Sequence, residues 1–324
     1  MRVFVTGANG FIGSHLVPIL IKRGYGVTCL VRDPAKADRL VNLGAQVVRG
    51  DVTDRESMRE PMRGSDAVFH LAGWYAIGNH DKAKMQAINV DGAKHTLELA
   101  AELGVPKIIH TSTVGVFGNT NGNIVDESYR VGQAAMSTEY ERTKWAAHYE
   151  VAVPLQQRGA PVIIVQPGGV TGRGDPSPHV QTFELFLQRI PVMLGPQSGI
   201  TLAHVDDVAE GHALAMEKGK PGESFILAGP CLTYRQAFEL CEKITGIPAT
   251  KVWLPGWAAA GMSKFAGLIE SMGMPMQFSA EALGTLADYT FWGSAEKAKR
   301  ELGWQPRAIE AVLGEILEER RRLK

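Results

Sequence analysis

Two side chains, Tyr140 and Lys144, have the types and the spacing needed for proton transfer on a carbonyl or an alcohol. They fall in a strongly helical stretch, and residues i and i+4 share one helix face, so one ligand can reach both. A phenol has a pKa of about 10. A nearby ammonium stabilises the phenolate and lowers that pKa, which suits acid–base catalysis. The same spacing is common on ordinary helix surfaces, so the pair alone leaves its role open.

Hydroxyl side chains follow a predicted strand upstream of this pair. Residues 107–110 read as the strand, and Thr111, Ser112 and Thr113 come directly after it. Ligands of α/β proteins bind outside the carboxyl ends of parallel strands. One of these hydroxyls is therefore placed to hydrogen-bond a substrate oxygen.

Three glycines lie between the first predicted strand (3–5) and the first predicted helix (12–22). In this GxxGxxG spacing, Gly7 allows a tight turn, Gly10 allows close approach to a pyrophosphate, and Gly13 allows close packing of the helix on the strand. The amino terminus of the helix then offers unpaired N–H groups to phosphates. The alternative is an ordinary glycine-containing turn, but the position between strand and helix favours a dinucleotide site.

The end of the second predicted strand indicates which dinucleotide binds. Val31 stands where an NAD site usually carries an acid, and Arg32 follows it. Because an arginine can grip a 2′-phosphate bidentately, this favours NADP, with NAD as the alternative cofactor. Arg32 could instead be a surface residue paired with Asp33. After the third strand, Asp51 and Val52 are expected to contact the adenine ring or to cap a helix.

The elements that position these residues alternate between short apolar runs and longer helical patterns. This rhythm predicts an α/β fold with a doubly wound parallel sheet, a Rossmann domain, over residues 1–166. Residues 201–229 are expected to return to it, with a strand at 224–227. Residues 167–200 and 230–324 predict a smaller, mostly helical lobe that binds substrate.

Composition excludes several other classes of protein. The chain has 34 Lys+Arg and 34 Asp+Glu, so its net charge of zero argues against nucleic acid or an anionic membrane as the partner. Its three cysteines lack a CxxC pair, and no apolar run reaches the length of a spanning helix. The amino terminus lacks a signal-peptide pattern, so a cytoplasmic protein is expected. The His204, Asp206 and Asp207 group is not joined by a further ligand at a spacing that suits a metal ion, so no metal site is predicted.

Several motifs occur together in one order along the chain. They are Thr6–Gly13, Phe69–Gly73, Asn89–Gly92, the Thr/Ser run before Val116-Phe117-Gly118, Tyr140/Lys144, and His204–Ala209. In this combination the chain resembles the extended short-chain dehydrogenase/reductase superfamily up to about residue 230. The resemblance implies Tyr140 as general acid/base, Lys144 as the ligand of the nicotinamide ribose, and Thr113, rather than its neighbour Ser112, as the hydroxyl. It also implies a homodimer through the helices at 85–103 and 140–158, although their periodicity alone would equally bury them within the monomer.

The residues predicted to contact the cofactor are Gly7, Asn9, Gly10, Phe11, Ile12, Gly13, Arg32, Asp51, Val52, Leu71, Ala72, Gly73, Asn89, Thr111, Lys144, Pro167, Gly168 and Val170.

The segment after the sixth strand helps to distinguish a reductase from a sugar-nucleotide epimerase or dehydratase. Sugar-nucleotide members of the superfamily commonly carry an asparagine where this chain has Pro167-Gly168-Gly169. Together with Arg32, this favours an NADPH-dependent oxidoreductase of a small apolar substrate, similar to the dihydroflavonol reductase branch. An NAD-retaining epimerase or dehydratase is the alternative, and a cofactor-binding protein without catalysis is a third hypothesis. Candidate pocket walls, each equally readable as packing aromatics, are Trp74, Tyr75, His179, Phe183 and Phe186. His70 and His110 are expected to be hydrogen-bonded strand-end residues.

Overall fold

The computed structural model describes residues 1–78, 81–272 and 279–323, without the side chains of residues 178 and 179. The predicted pocket role of His179 therefore lies outside the described residues. The strands are β1 Arg2–Thr6, β2 Gly26–Val31, β3 Gln46–Arg49, β4 Ala67–His70, β5 Lys107–Thr111, β6 Val162–Pro167, β7 Gly169–Thr171, β8 Val192–Leu194, β9 Gly199–His204, β10 Ser224–Leu227, β11 Cys231–Thr233, β12 Val252–Leu254 and β13 Thr290–Phe291.

Thirteen α-helices are assigned among the described residues. They are α1 Phe11–Lys22, α2 Asp38–Asn42, α3 Arg55–Met62, α4 Lys82–Gln86, α5 Gly92–Glu102, α6 Glu139–Ala146, α7 Val153–Gln157, α8 Pro178–Leu187, α9 Val205–Lys218, α10 Tyr234–Thr245, α11 Gly256–Ser271, α12 Ala280–Gly284 and α13 Ile309–Arg322. Two π-helical segments, Ala87–Asp91 and Ala147–Ala152, join α4 to α5 and α6 to α7. Each joined pair is one long helix, as the sequence predicted.

Seven strands form a parallel sheet in the order β10-β6-β5-β4-β1-β2-β3. Except in the edge strand β3, the apolar runs that predicted these strands are buried on both faces; β6, for example, is buried at every residue. One face packs on α1 and α9, and the other on α3, α5 and the α6–α7 helix. The strand order reverses between β1 and β4, and this crevice binds dinucleotides in Rossmann folds. The predicted fold class is confirmed.

The remaining strands form a second, smaller layer beyond the carboxyl ends of the parallel strands. β11, β9 and β13 form one sheet with β7 beside β9, and β12 pairs with β8. Of the segment 201–229, α9 and β10 pack on the main sheet, whereas residues 201–204 belong to β9 in the second layer. Phe183 and Phe186, each 1% exposed, lie in the core of this layer rather than on a pocket wall.

Candidate active site

The glycine turn after β1 is shaped by steric contact with its neighbours. Gly7 has φ +73°, and a Cβ there would lie 2.6 Å from the backbone N of Ala72. A Cβ on Gly13 would lie 2.2 Å from the carbonyl O of Gly7, whereas one on Gly10 would keep 3.1 Å from that oxygen. Gly7 and Gly13 are thus required by packing, and Gly10 leaves its outer side open.

Helix α1 begins at this turn without any side-chain cap. Its N-cap residue is Gly10, no acidic residue lies in its first turn, and Phe11, Ile12 and Gly13 line a cavity. The first amides of a helix have no partner within the helix, and the dipole makes this end positive. The turn therefore fits the pyrophosphate of a dinucleotide.

The cavity encloses about 1260 Å³ and runs from this turn to the second layer. All three predicted catalytic residues line it. So do most of the predicted cofactor contacts, namely Gly7, Gly10, Phe11, Ile12, Gly13, Leu71, Gly73, Thr111, Lys144, Pro167, Gly168 and Val170. The structure does not bring Asn9, Arg32, Asp51, Val52, Ala72 or Asn89 to the cavity wall.

Two of these outlying residues lie beyond the ends of the second and third strands. Arg32 is exposed, and the carboxylate of Asp33 instead accepts a hydrogen bond from Ala35 N at 3.1 Å. Among the described residues Asp33 pairs with Lys36 at 3.8 Å rather than with Arg32. The choice between a 2′-phosphate ligand and a surface residue for Arg32 stays a prediction. The carboxylate of Asp51 accepts hydrogen bonds from the N–H and hydroxyl of Thr53 at 2.9 Å, which closes a local turn.

Asn89 uses its side-chain amide inside the protein. Its Oδ1 accepts a hydrogen bond from Trp74 N at 2.6 Å, and its Nδ2 donates to Trp74 O and to Thr143 Oγ1. The residue is 2% exposed. Asn89 therefore fixes the loop after β4 against α6, and this loop carries Trp74 and Tyr75 to the cavity.

Tyr140 and Lys144 lie on successive turns of α6. The Nζ of Lys144 donates a hydrogen bond to the carbonyl O of Thr111 at 2.7 Å. Burial lowers the pKa of Lys144 to about 8 and raises the pKa of Tyr140 to about 12, against an opposing hydrogen bond from Thr113. The sequence predicted a lowered pKa for Tyr140. The shift has the opposite sign because desolvation of the phenolate outweighs the Thr113 contact, and Lys144 is turned towards Thr111.

The two candidate hydroxyls have different partners. Thr113 is bonded to Tyr140, whereas the hydroxyl of Ser112 contacts His148 Nδ1 at 2.8 Å in a buried position. Thr113 is consequently the better placed of the two for the reacting oxygen.

Four buried histidines lie beneath this site. His70 and His110 stack with ring centroids 5.5 Å apart, and His148 and His212 hydrogen-bond Ser112 and Thr111 respectively. Burial lowers the pKa of His70 and of His148 to about 3, that of His212 to about 4, and that of His110 well below its usual value. His70 is hydrogen-bonded to Thr6 as expected, but neither ring nitrogen of His110 has a partner among the described residues, which corrects that prediction.

The other end of the cavity is formed by aromatic and aliphatic side chains. Tyr75 packs edge-on against Tyr140 at 4.6 Å between ring centroids. The further apolar and aromatic lining residues here include Trp74, Ile77, Leu185, Met193, Tyr234, Leu286, Tyr289 and Phe291. Sequence reasoning identified only Trp74 and Tyr75 of this set, because the others come from scattered elements with no motif.

Glu141 is a further lining residue that sequence reasoning missed. Its carboxylate is buried, and it accepts hydrogen bonds from Ser137 N at 2.9 Å and from the Tyr289 hydroxyl at 3.1 Å. Burial raises the pKa of Glu141 despite these donors. Its position one residue after Tyr140, on a helix facing the crevice, was the available signal.

The segment considered for a metal has structural contacts. His204 caps α9, Asp206 hydrogen-bonds His15, and Asp207 pairs with Arg307. Among the residues that the structure describes, no group of three His, Cys, Asp or Glu side chains could hold a metal ion.

Comparison with known proteins identifies the family. The model of the NAD-dependent epimerase/dehydratase family matches residues 3–228. The chain belongs to this family. The predicted resemblance to extended short-chain dehydrogenases/reductases is confirmed, and the chain is an NAD(P)-dependent enzyme of that type.

Three relatives illustrate the range of the family around this chain. A Synechocystis sp. protein provisionally named dihydroflavonol 4-reductase is 32% identical, over 97% of this chain and 93% of its own length. The sterol demethylase protein B of Methylococcus capsulatus is 28% identical over 98% and 97%. A Stigmatella aurantiaca ketoreductase of a farnesyl-dihydroquinoline oxide is 30% identical over 95% and 92%.

Solved structures similar to this chain show the same architecture. The crystal structure of gox2253 is 30% identical and covers 99% of this chain and 98% of that one, with a TM-score of 0.84. A UDP-glucose 4-epimerase from Thermotoga maritima, solved with UDP-glucose, is 26% identical with a TM-score of 0.75 and covers 100% and 99%. None of the helices in the described part of the chain is long and apolar enough to cross a membrane.

Proposed function

We propose that this enzyme is an NADPH-dependent oxidoreductase that reduces the carbonyl, or oxidises the alcohol, of a small and fairly apolar substrate. The observation that carries the proposal is the position of Tyr140, Lys144 and Thr113 in one cavity. They lie between the uncapped amino terminus of α1 and an end lined by aromatic and aliphatic side chains. A polar reaction centre is thus placed between a phosphate-binding turn and an apolar binding region.

In this proposal Tyr140 exchanges the proton with the substrate oxygen, and the bound nicotinamide supplies or accepts the hydride. Thr113, which is hydrogen-bonded to Tyr140 in the structure, donates its single hydroxyl hydrogen to the same substrate oxygen. Lys144, whose Nζ donates to the Thr111 carbonyl, lies one helical turn from Tyr140 and would hold the nicotinamide ribose. Tyr75, packed on the Tyr140 ring, excludes water from the reacting atoms.

Arg32 supports NADPH rather than NADH as the cofactor. It is exposed beyond the end of β2, and Asp33 and Lys36 lie 3.8 Å apart without it, so its guanidinium is available for a 2′-phosphate. We expect Arg32→Ala to weaken NADPH binding by about tenfold or more and to leave NADH binding nearly unchanged. Titration of both nucleotides by fluorescence tests this. Equal losses for the two nucleotides would remove the 2′-phosphate role.

The second candidate function is an NAD-retaining sugar-nucleotide epimerase or dehydratase, favoured by the similarity to the UDP-glucose 4-epimerase structure. Against it, the segment after β6 presents Gly168, where a Cβ would lie 2.3 Å from Thr201 Oγ1, so a side-chain amide does not fit there. Denaturing the purified protein and assaying the released nucleotide separates the two. Stoichiometric retained NAD would refute the reductase proposal.

We also propose a cytoplasmic homodimer. The α4–α5 and α6–α7 helices carry half-buried apolar side chains, Leu103, Trp145 and Val153, that a second copy could cover. Cys29, Cys231 and Cys241 are free thiols, as in a reducing compartment. Sedimentation velocity tests the dimer, with Trp145→Glu expected to give a monomer. An unchanged sedimentation coefficient would place the contact elsewhere.

A further inference from the structure

Exposed apolar side chains are concentrated on one side of the second layer. On helix α11 the exposed fraction of the residue is 77% for Trp257, 63% for Phe265 and 60% for Leu268, and it is 60% for Met272 just past the helix end. At about 100° per residue these four side chains fall within an arc of about 80°. The opposite side of the helix is buried at Ala259 and Ala266. The exposed stripe is therefore a face that the described residues of the monomer leave uncovered.

The paired strands β8 and β12 extend this face. Val192 pairs with Val252, and both are exposed. Leu254, two residues before the start of α11, is exposed as well. We call the surface formed by these strands and the α11 stripe the α11 face; its exposed members are Val192, Val252, Leu254, Trp257, Met262, Phe265, Leu268 and Met272. Large contiguous apolar patches mark interaction sites on proteins.

Positive charge borders the α11 face. Lys251 and Lys264 are exposed beside its apolar side chains. Between residues 251 and 272 the sequence has one acid, Glu270, which lines the cavity and accepts a hydrogen bond from Ala280 N. Asp288 lies at the other end, over Gly256 at the amino terminus of α11, where a carboxylate complements the helix dipole.

We propose that the α11 face lies on a membrane surface that contains anionic lipids. A helix with Trp, Phe and Leu on one face and lysine beside them binds in the interface plane of a bilayer. Exposed cations attract anionic headgroups, and this adds to the burial of the apolar stripe. In a symmetric dimer through the same face, Lys251 and Lys264 would meet their own copies, with little negative charge to pair them. This proposal revises the expectation, drawn from net charge, that a membrane is not a partner.

The cavity lies behind this face, on the inner side of α11 and β8. Met193 of β8, Glu270 of α11 and Leu286 after α12 all line the cavity. A membrane-bound orientation would therefore hold the apolar end of the cavity one helix diameter, roughly 10 Å, from the lipid, which favours an apolar substrate drawn from it. This last step rests on the proposed function, whereas binding to the surface does not.

Flotation with vesicles tests the surface on the full chain, without substrate or cofactor. We expect binding to vesicles of phosphatidylcholine mixed with phosphatidylglycerol and weaker binding to phosphatidylcholine alone. Trp257→Ser with Phe265→Ser should reduce the partition coefficient by about tenfold or more. Ile124→Ser, at an apolar residue that is 62% exposed in a different loop, is the matched control and should bind as the wild type does.

Three outcomes overturn the proposal. They are no binding of the wild type to the mixed vesicles, equal binding of the double variant, and a lipid-free dimer that the double variant dissociates, which would assign the face to a second copy. Lys251→Gln with Lys264→Gln separates the electrostatic part, since it should lower binding to the mixed vesicles only. A protein that binds vesicles but reduces no apolar carbonyl would refute the proposed function and leave this inference standing.

Discussion

The two ends of the cavity are formed in different ways. At the nucleotide end, the wall is backbone: glycines whose Cβ atoms would collide with carbonyl and amide groups, and the free amides of α1. At the substrate end, the wall is side chain, contributed by the loop after β4, by α8, α10 and β13, and by the residues around α12. A backbone wall tolerates few substitutions and binds one kind of group. A side-chain wall can change its specificity residue by residue.

The nucleotide half also carries the four buried neutral histidines. Their titration predicts the largest effect considered for this half, a fall in the free energy of unfolding as the pH is lowered. Their folded pKa values are lowered to about 3 for His70 and His148 and to about 4 for His212, and that of His110 lies well below the ordinary value. Below pH of about 6.5 the unfolded chain binds protons that the folded chain does not, so stability is present above this pH and lost as pH falls. We expect a loss of about 5 kcal/mol in the free energy of unfolding between about pH 7.5 and 5.5.

Urea unfolding at the two pH values measures this loss. His110→Leu removes one of the four titrating groups and should reduce the pH-dependent part by about a quarter. A free energy of unfolding that is the same at both pH values would show that these histidines are not buried as the structure has them.

Tyr140→Phe tests the reaction centre between the two ends. Removal of the phenolic hydroxyl takes away the proton donor, so kcat should fall by about 10²–10⁴-fold while NADPH affinity stays within about twofold. Tyr129→Phe, at a residue packed on Phe117 and absent from the cavity wall, is the matched control. Unchanged turnover of an accepted substrate would mean that the catalytic assignment is wrong.

A glycine pair separates packing from binding at the nucleotide end. Gly13→Ala places a Cβ 2.2 Å from the Gly7 carbonyl O, so we expect a loss of about 1–3 kcal/mol in the free energy of unfolding. Gly10→Ala keeps 3.1 Å from that oxygen and should lower NADPH affinity more than stability. Thermal unfolding with and without NADPH measures both. Equal destabilisation by the two variants would contradict the distinct roles.

The smallest effect is expected at Tyr289, whose hydroxyl links the substrate end of the cavity to Glu141 on α6. Tyr289→Phe removes the hydrogen bond of 3.1 Å to the Glu141 carboxylate, which retains its bonds from Ser137. We expect a loss of about 1 kcal/mol and a larger relative change in substrate KM than in NADPH affinity. A variant that alters NADPH affinity instead would show that the two ends are coupled more tightly than their construction indicates.

The same division explains how much could be predicted from sequence. The nucleotide half follows from local rules: apolar runs give the parallel strands, and the spacing of Gly7, Gly10 and Gly13 gives the turn. The placements that the sequence left undecided or untested depend on distant contacts. Phe183 packs into the core of the second layer, and the amide of Asn89 is used by Trp74 and Thr143. Neither partner set is visible in a short stretch of sequence.

The sign of the Tyr140 shift was missed for a related reason. Spacing on a helix shows that Tyr140 and Lys144 share a face, but not how deeply the face is buried or which acceptor the lysine finds. The structure places the Thr111 carbonyl within 2.7 Å of Lys144 Nζ, on a strand more than thirty residues upstream.

The late arrival of β10 at the edge of the main sheet has a consequence for synthesis of the chain. β10 pairs with β6, and α9 packs on α1, where His15 and Asp206 are 2.6 Å apart. In the sequence, both α9 and β10 come after residues 167–200, the first part of the second lobe. A nascent chain that ends at residue 166 would leave the edge of β6 unpaired and the outer side of α1 exposed, the kind of surface on which chains aggregate. The Rossmann sheet is therefore completed only after residue 227 has been made, and the nucleotide-binding half is not a module that can be cut out at its own last strand.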